Sequence, residues 1–291
     1  MKYMKILIVI AICIFIGTSL YTFCQNQKYT SVLNSMSGKL VYGDVTNNKT
    51  EHSRGMKSLD IKTNKSKYIS NFEFQASDYN MRTGTVLTLG NNEEVHEFSL
   101  ANMSDRILLR NTFNKGSINQ LRYIPNESNS ISMQLGDAEK IYIYNMKKHE
   151  IDETIFVASS GFCWLDNKNI IFSNDSKIFI GNIVTKKFEY LTDGEYPQIS
   201  NNKKYLVFSR NNKKLLSLYN INNRVLEKAF NFKNNIFEYR FSPDANDIAI
   251  VQEGRKWLFY FDVDLNIINL NNRKKIKFLE GISSYDFIWV K

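Results

Sequence analysis

The chain has 291 residues, of which 43% are hydrophobic and 23% charged, a composition typical of a folded globular protein and unlike that of a disordered chain. The formal net charge is +9, but the basic residues are scattered among polar segments such as Lys203-Lys204, Lys213-Lys214 and Arg273-Lys274-Lys275. Because they form no continuous basic stripe, nucleic acid is excluded as the expected partner.

The N-terminal segment predicts export. Two lysines precede an uninterrupted apolar run at residues 6–17, and mostly apolar residues follow it. This pattern fits a secretory signal peptide, and residues 6–23 also reach the length of a membrane signal-anchor helix with the N-terminus inside. We therefore assign residues 1–25 to a signal peptide or signal-anchor, residues 26–37 to a linker, and residues 38–291 to the folded body outside the cytoplasm.

Cysteine and histidine are too few for a disulfide framework or a zinc site. Cys24 leaves open a third form of the N-terminus, a lipidated one, although Phe23 stands where lipoprotein signals carry a small residue. Cys163 is the single cysteine of the folded body, so no internal disulfide is expected there. His52, His96 and His149 occur in unrelated contexts, and no metal or other cofactor is predicted.

An internal repeat runs through the body. A hairpin of two alternating strands around a polar turn, as in IFIGNIVTKKFEYLT at residues 178–192, occurs six times at spacings of 37 to 49 residues. A small polar residue, suited to a strand end, precedes the central apolar residue of each copy. The six central residues are Ile61, Leu100, Met146, Ile183, Ile221 and Leu270.

A second marker alternates with these hairpins. It consists of a strand bearing a large residue, a polar turn and a very apolar strand, and the aligned large residues are Phe74, Tyr123, Trp164, Ile199 and Phe241. Each unit of about 40 residues thus carries four strands, which is typical of a β-propeller blade. The pattern predicts an all-β, six-bladed propeller of four-stranded antiparallel blades.

The two ends of the body complete each other. The first hairpin lacks a preceding large-residue strand, whereas the chain finishes on such a strand, YDFIWVK, in which Trp289 matches Phe241. We therefore expect the C-terminal strand to be the innermost strand of the first blade and to close the ring. An apolar final strand suits closure better than it suits the polar cap of an open repeat stack.

The segment FSPDANDIAIV, residues 241–251, resembles the Trp-Ser-Pro-Asp-Gly strand and turn of TolB-like, or WD-like, propellers of bacterial exported proteins. YPQISNNKKYLVFS and FCWLDNKNIIFS are weaker copies, and Ala245 stands at the family's turn glycine. The resemblance covers about residues 38–291. It implies a six-bladed propeller, a fold that serves scaffolds, binding modules and enzymes alike.

Catalytic motifs are not found in the sequence. It contains no Gly-x-Ser-x-Gly, His-Glu-x-x-His, P-loop or Gly-x-Gly-x-x-Gly pattern. Asp262, Asp264 and Asn266 have the spacing of a calcium loop, but the downstream glycine and glutamate are missing. We expect an extended or bulged strand there rather than a metal site.

The residues just before the aligned large residues are the candidate ligand-binding set. If they project into the central channel, Glu73, Arg122, Gln198 and Arg240 form a polar ring there, together with Cys163 and Ile288. The two arginines would bind an anionic ligand or a peptide terminus. The alternative is that Glu73 and the arginines pair with one another and with water and serve packing only.

Three functions remain open on the sequence. The favoured one is a non-catalytic, monomeric extracytoplasmic propeller that binds an envelope protein, a peptide or an anionic cell-wall polymer through its channel or rim and meets the membrane through its N-terminal segment. The second is an extracytoplasmic hydrolase, lyase or lactonase with its active site at a channel mouth. The third is the sensor ectodomain of a membrane system.

Overall fold

The computed structural model describes most of the propeller body. Its described residues are 36–45, 54–70, 74–90, 94–110, 117–136, 139–210, 212–256, 261–282 and 287–291. The predicted signal or anchor at residues 1–25 and nearly all of the linker lie outside them, so the domain boundaries stay a prediction. The described residues form strands and turns without any helix, and therefore include no helix able to cross a bilayer.

The strands form six antiparallel sheets of four, which confirms the predicted six-bladed, all-β fold. Blade 1 contains β1 (Lys39–Val45), β2 (Arg54–Asp60), β3 (Lys65–Ser70) and β24 (Phe287–Val290). Blade 2 contains β4 (Phe74–Asn80), β5 (Thr85–Gly90), β6 (Val95–Ser99) and β7 (Ser104–Leu109). Blade 3 contains β8 (Ile118–Tyr123), β9 (Ser130–Leu135), β10 (Lys140–Asn145) and β11 (Glu150–Val157).

The second half of the ring repeats this order from the inside outwards. Blade 4 contains β12 (Phe162–Trp164), β13 (Asn169–Asn174), β14 (Lys177–Asn182) and β15 (Lys187–Asp193). Blade 5 contains β16 (Glu195–Ile199), β17 (Tyr205–Arg210), β18 (Leu215–Asn220) and β19 (Val225–Asn231). Blade 6 contains β20 (Ile236–Phe241), β21 (Asp247–Lys256), β22 (Phe261–Asn269) and β23 (Lys275–Ile282).

The ring is closed by the last strand of the chain, as the sequence predicts. β24 pairs antiparallel with β1, and Trp289 lies opposite Leu40. The Trp289 indole Nε1 donates a hydrogen bond to the Ser37 carbonyl at 3.1 Å, so the first and last described segments are also joined by a side chain. Gly38 has φ +104°, and a Cβ there would meet the Val290 carbonyl oxygen at 2.3 Å, so only glycine fits this junction.

The hydrophobic core is divided among the six gaps between neighbouring blades. One buried cluster fills each gap, including the gap between blades 6 and 1, where Trp289 packs with Val251 and Phe278. Because each middle strand is covered on both faces, β17 reads as an apolar run, YLVFSR, instead of alternating. The outermost strand β15 is largely exposed because nothing covers its outer side in the described structure.

The outer hairpins share one turn. In blades 3, 4 and 6 the polar residue at the end of the third strand accepts hydrogen bonds from backbone N–H groups two and three residues later, as Asn182 does from Val184 at 3.0 Å and Thr185 at 2.9 Å. The residue four positions after this strand-end residue takes the left-handed conformation in all six blades, with φ between 52° and 59°. These residues are Asn64, Met103, His149, Lys186, Arg224 and Arg273.

The expected bulged strand in blade 6 is confirmed. The pairing of β22 with its two neighbours shifts register in three places, and β21 and β22 are the longest strands of the blade. Asp264 forms an ion pair with Lys277, with 3.0 Å between Oδ2 and Nζ. Within the described residues no group of three or more metal-ligating side chains converges.

The Ser-Pro-Asp turn of blade 6 is held by its own polar side chains. The Ser242 hydroxyl oxygen accepts the backbone N–H groups of Asn246 at 3.1 Å and Asp247 at 2.9 Å, and Ala245 takes the left-handed conformation that the family's glycine suits. The Asp247 carboxylate, 1% exposed, accepts a hydrogen bond from the Asn269 amide at 2.8 Å. Burial raises the pKa of Asp247 to about 6.

Replacing Trp289 tests ring closure. Trp289→Ala removes the largest apolar group between blades 6 and 1, and we expect the free energy of unfolding to fall by about 3–5 kcal/mol. Trp289→Phe keeps most of the buried surface and should cost clearly less. Denaturant unfolding followed by circular dichroism measures both. An unchanged unfolding midpoint for Trp289→Ala would contradict closure by β24.

Replacing Asp247 tests the cost of its burial. Blade 4 has an asparagine at the equivalent position, Asn169, which accepts the same hydrogen bond from Asn182 at 2.9 Å. Asp247→Asn should therefore keep the bond, remove a buried charge and stabilise the protein at pH 7.5 by about 1–2 kcal/mol.

The size of this stabilisation depends on pH. A folded-state pKa above the unfolded value means that the wild type loses stability as the pH rises from about 4 to about 6. The advantage of Asp247→Asn should therefore be complete above pH 6 and vanish near pH 4. Thermal unfolding of both proteins over this range measures it, and a constant difference between them would contradict the assignment.

Candidate functional site

The innermost strands carry one structurally equivalent pair of residues in each blade. Strand pairing places the large residues opposite the second residue of the next strand, as for Tyr123 with Ile131 and Trp164 with Ile170. Their side chains pack between the blades. The residue before each belongs to a second layer, whose six members are Asp78, Arg122, Cys163, Gln198, Arg240 and Ile288.

Blade 2 departs from the sequence alignment. The pairing of Tyr79 with Val86 puts Tyr79, and not Phe74, at the large-residue position, five residues further along the chain. Asp78 therefore occupies the position that the alignment gave to Glu73, which lies outside the described residues. The informative signal was proximity to the polar turn, because Tyr79 stands directly before the turn residue Asn80 as Tyr123 stands before its own turn.

Two cavities lie along the axis of the ring, and Arg122 lines both. The strand-end cavity, about 290 Å³, lies where the innermost strands end. The residues that line it include Asp78, Arg122, Gln198 and Lys203. The strand-start cavity, about 260 Å³, lies where these strands begin, and the residues that line it include Arg122, Glu238 and Arg240. The structure thus brings three of the four predicted residues, Arg122, Gln198 and Arg240, to the channel.

Arg122 divides the two cavities with an incompletely satisfied guanidinium. Its Nη1 donates hydrogen bonds to the backbone carbonyls of Ser77 at 2.5 Å and Leu121 at 3.1 Å. Its Nη2 is buried and meets no hydrogen-bond acceptor among the described residues. Burial, and next the charge of Arg240, lower the pKa of Arg122 to about 10, so the side chain remains charged at neutral pH.

The carboxylates of the channel are partly committed to structural contacts. Asp78 accepts backbone N–H groups from Tyr79 at 2.9 Å and from Tyr123 at 2.8 Å, which ties blade 2 to blade 3. Glu238 Oε1 lies 3.1 Å from Arg240 Nη1 and forms an ion pair with it, but the angles between the two groups do not satisfy hydrogen-bond geometry. The Arg240 Nε donates to the Phe287 carbonyl at 3.3 Å, which ties blade 6 to the closing strand.

Two further side chains set the character of the strand-end cavity. Lys203 Nζ donates to the Trp164 carbonyl at 3.0 Å, and burial lowers the pKa of this lysine. Cys163 is a free thiol that is 4% exposed, and burial raises its pKa to about 12 despite the nearby arginines. The thiol is therefore a neutral part of the wall at physiological pH. Three basic side chains, Arg82, Arg122 and Lys203, and two carboxylates, Asp78 and Glu127, line the strand-end cavity, so basic groups are in excess by one.

Comparison with known proteins supports the fold. No family model and no curated protein sequence matches the chain. Among solved structures, TolB from Acinetobacter baumannii matches with a TM-score of 0.68 at 12% identity, over 87% of this chain and 66% of that one. A putative TolB from Agrobacterium tumefaciens matches with a TM-score of 0.59 at 14% identity, over 84% and 90% of the two chains.

A structure of a nidogen/laminin complex is also similar, with a TM-score of 0.66 at 10% identity over 87% of this chain and 98% of that chain. The architecture is thus that of a six-bladed β-propeller with four-stranded blades. This fold is similar to that of the two TolB structures, and the Ser-Pro-Asp turn resembles the turn of TolB-like propellers. At these identities the likeness concerns the fold.

Cysteine reactivity tests the electrostatics of the channel. If burial outweighs the arginines, Cys163 in the folded protein should react with iodoacetamide at pH 8 at least about a hundredfold more slowly than in the denatured chain. Mass spectrometry of the Cys163 peptide over time separates it from the N-terminal cysteines. Comparable rates in the two states would mean that the arginines stabilise the thiolate.

Proposed function

We propose that this protein is a non-catalytic extracytoplasmic propeller that binds a peptide or protein partner by taking the partner's terminal carboxylate into the channel. The observation that carries the proposal is the buried Nη2 of Arg122, which meets no acceptor among the described residues and lies between two cavities. A buried donor without a partner is costly, and a ligand carboxylate would offset that cost with a charge-assisted hydrogen bond.

The dimensions and charge of the channel agree with this ligand. Each cavity is large enough for a short chain end but not for a folded domain. Arg240 adds a second charge next to Arg122, and the hydrogen bond of its Nε to Phe287 leaves its guanidinium end facing Glu238 and the strand-start cavity. Neutral side chains such as Gln198 and Gln120 also line the cavities and suit peptide amides.

The predicted location completes the proposal. The apolar N-terminal run supports an exported protein that is held at the membrane or released from it, with the propeller outside the cytoplasm. The partners available there are envelope proteins, peptides and cell-wall polymers. A peptide terminus fits the channel better than a polymer does, because Arg122 lines both cavities and its guanidinium can bind a single terminal carboxylate.

The hydrolase alternative requires a histidine and carboxylate pair, or two carboxylates, converging at the channel mouth. Within the part of the chain that the structure describes, the histidine and carboxylate pair at hydrogen-bond distance is His96 with Asp105, 2.8 Å apart, and it lies between β6 and β7 in the outer half of blade 2. Among the described residues, Asp78 and Glu127 line the strand-end cavity and Glu238 lines the strand-start cavity. Asp78 is already engaged, because it accepts the backbone N–H groups of Tyr79 and Tyr123. The binding function therefore has the stronger support.

A pair of peptide libraries tests the proposal. We expect octapeptides with free carboxyl termini to bind the full-length protein, and the same library with amidated termini to bind at least about tenfold more weakly. Arg122→Gln should abolish that difference, and Arg240→Gln should reduce it, because both lower the positive charge of the channel. Isothermal titration calorimetry of selected peptides measures the affinities.

Arg224→Gln is the matched control, because Arg224 pairs with Glu189 on the outer rim at 2.6 Å and loses the same charge far from the channel. It should bind like the wild type. Equal binding of free and amidated peptides to the wild type would overturn the proposal. If Arg122→Gln does not fold, the test rests on Arg240→Gln alone. If that folded variant still prefers free over amidated peptides as strongly as the wild type does, the channel site is contradicted.

A further inference from the structure

A groove separate from the channel lies between blades 1 and 2. Its volume is about 440 Å³, larger than either channel cavity, and it opens at the end of the ring where the innermost strands finish. Tyr79 lines both this groove and the strand-end cavity, so the two share one face of the propeller. The size is within the range of ligand-binding pockets, about 300–1,000 Å³.

The wall contributed by blade 1 is basic because of strand register. Lys39 pairs with Asp60, which pairs with Lys65, and Val41 pairs with Ser58, which pairs with Lys67. Directly paired residues point to the same face of a sheet, so these side chains share the face of blade 1 that looks towards blade 2. Lys291 adds a fourth lysine at the inner end of the groove.

Lys67 lacks the carboxylate partner that its equivalent has in blade 2. In blade 2, Arg106 occupies the position of Lys67 and forms an ion pair with Glu97 at 2.6 Å. Blade 1 has Ser58 where blade 2 has Glu97, so the residue directly opposite Lys67 on the neighbouring strand β2 is not acidic. Among the described residues, no ion pair within 4 Å involves any of the four groove lysines.

A single side-chain carboxylate lines the described groove, and it is already engaged. Asp60 Oδ1 accepts hydrogen bonds from the Thr63 backbone N–H at 2.8 Å and from its hydroxyl at 2.9 Å. These bonds lower the pKa of Asp60 and hold the carboxylate at the hairpin turn. The groove therefore has a surplus of positive charge that its own residues do not neutralise.

The floor of the groove is apolar. It is formed by residues from the inner strands of blade 1, from β3 and from the β6–β7 turn of blade 2, namely Val41, Val290, Ile69, Leu100 and Met103. Met103 is 44% exposed although it is a large apolar side chain, and it sits in the left-handed position of its turn. A flexible thioether at the edge of a groove can adapt to an apolar ligand side chain.

From this geometry we infer that the groove binds an extended acidic segment of a partner protein, with an apolar residue between two carboxylates. Lys39 and Lys291 lie on β1 and beside β24, and Lys65 and Lys67 lie on β3, two to three strands away. At about 4.8 Å per strand, the two groups of lysines are about 10–14 Å apart.

An extended peptide matches this spacing. Residues i and i+4 of an extended chain are about 13 Å apart and point to the same side, with residue i+2 between them on that side. A sequence of the form acidic–x–apolar–x–acidic therefore places one carboxylate on each lysine group and its central side chain on the apolar floor. A lipid with one headgroup would satisfy the lysines on one side of the groove and leave those on the other unpaired.

The test uses capped peptides, so that the terminal carboxylate proposed for the channel plays no part. We expect acetylated and amidated Glu-Ser-Leu-Ser-Glu to bind the full-length protein. Replacing both glutamates by glutamine, or the leucine by serine, should weaken binding at least about tenfold. Competition against a dye-labelled copy, followed by fluorescence anisotropy, measures the affinities.

Charge reversal locates the site. Lys65→Glu with Lys67→Glu should abolish binding, whereas Lys186→Glu with Lys187→Glu, the same charge change on the β14–β15 hairpin of blade 4, should change it less than about twofold. Arg122→Gln should leave it unchanged, which separates this groove from the channel. Met103→Ser should weaken the leucine peptide and leave the serine peptide unaffected.

Three results would overturn the inference. One is no saturable binding of the glutamate peptide to the wild type. Another is an equal loss in the two lysine double variants, which would mean that net charge alone attracts the peptide. The third is binding of phosphatidylglycerol vesicles that depends on Lys65 and Lys67 without any binding of the peptide, which would assign the groove to lipid headgroups.

Discussion

The pairing of β24 with β1 is the constraint on which the rest of this propeller depends. Each blade is a single sheet, and both faces of a sheet must be covered for its middle strands to bury their apolar side chains. Without β24, blade 1 would lose its innermost strand and the gap between blades 6 and 1 would lose Trp289. Closure lets all six gaps hold a buried cluster, so the ring needs no polar cap.

Closure also fixes the geometry of the channel. The innermost strands are held in place by contacts that cross between blades, such as Asp78 with the Tyr123 backbone, Gln120 with the Phe162 backbone at 2.9 Å, and Arg240 with the Phe287 carbonyl. Polar side chains of the channel thus serve two purposes. They join neighbouring blades through one set of atoms and present the remaining atoms, most clearly Arg122 Nη2, to the cavities.

The channel and the groove illustrate two ways in which a repeat fold acquires a binding surface. In the channel, structurally equivalent positions of the blades carry residues of different chemical types. These positions converge on the axis of the ring, so residue differences between blades produce a mixed polar surface. In the groove, blade 1 has a serine where blade 2 has a glutamate, and the missing carboxylate leaves neighbouring lysines uncompensated. Basic side chains outnumber carboxylates in both, and the strand-end cavity and the groove open on the face where the innermost strands end.

The sequence by itself determined the six blades, their strand order and the closing strand, because these follow from apolar alternation and from turn residues that act over a few positions. It also predicted that Arg122, Gln198 and Arg240 lie at the channel, since their strands carry one large residue immediately before a polar turn. It misplaced the large-residue position of blade 2, where Phe74 competed with Tyr79 and only the pairing of β4 with β5 distinguishes them.

Only the tertiary structure decided which charges remain unpaired. The burial of Arg122, the opposite cavities of Asp78 and Glu238, and the lysines of the groove depend on cross-strand and cross-blade neighbours far apart in the chain. Local patterns carry no information about such neighbours, because they arise from the closure of the ring and from the register of paired strands.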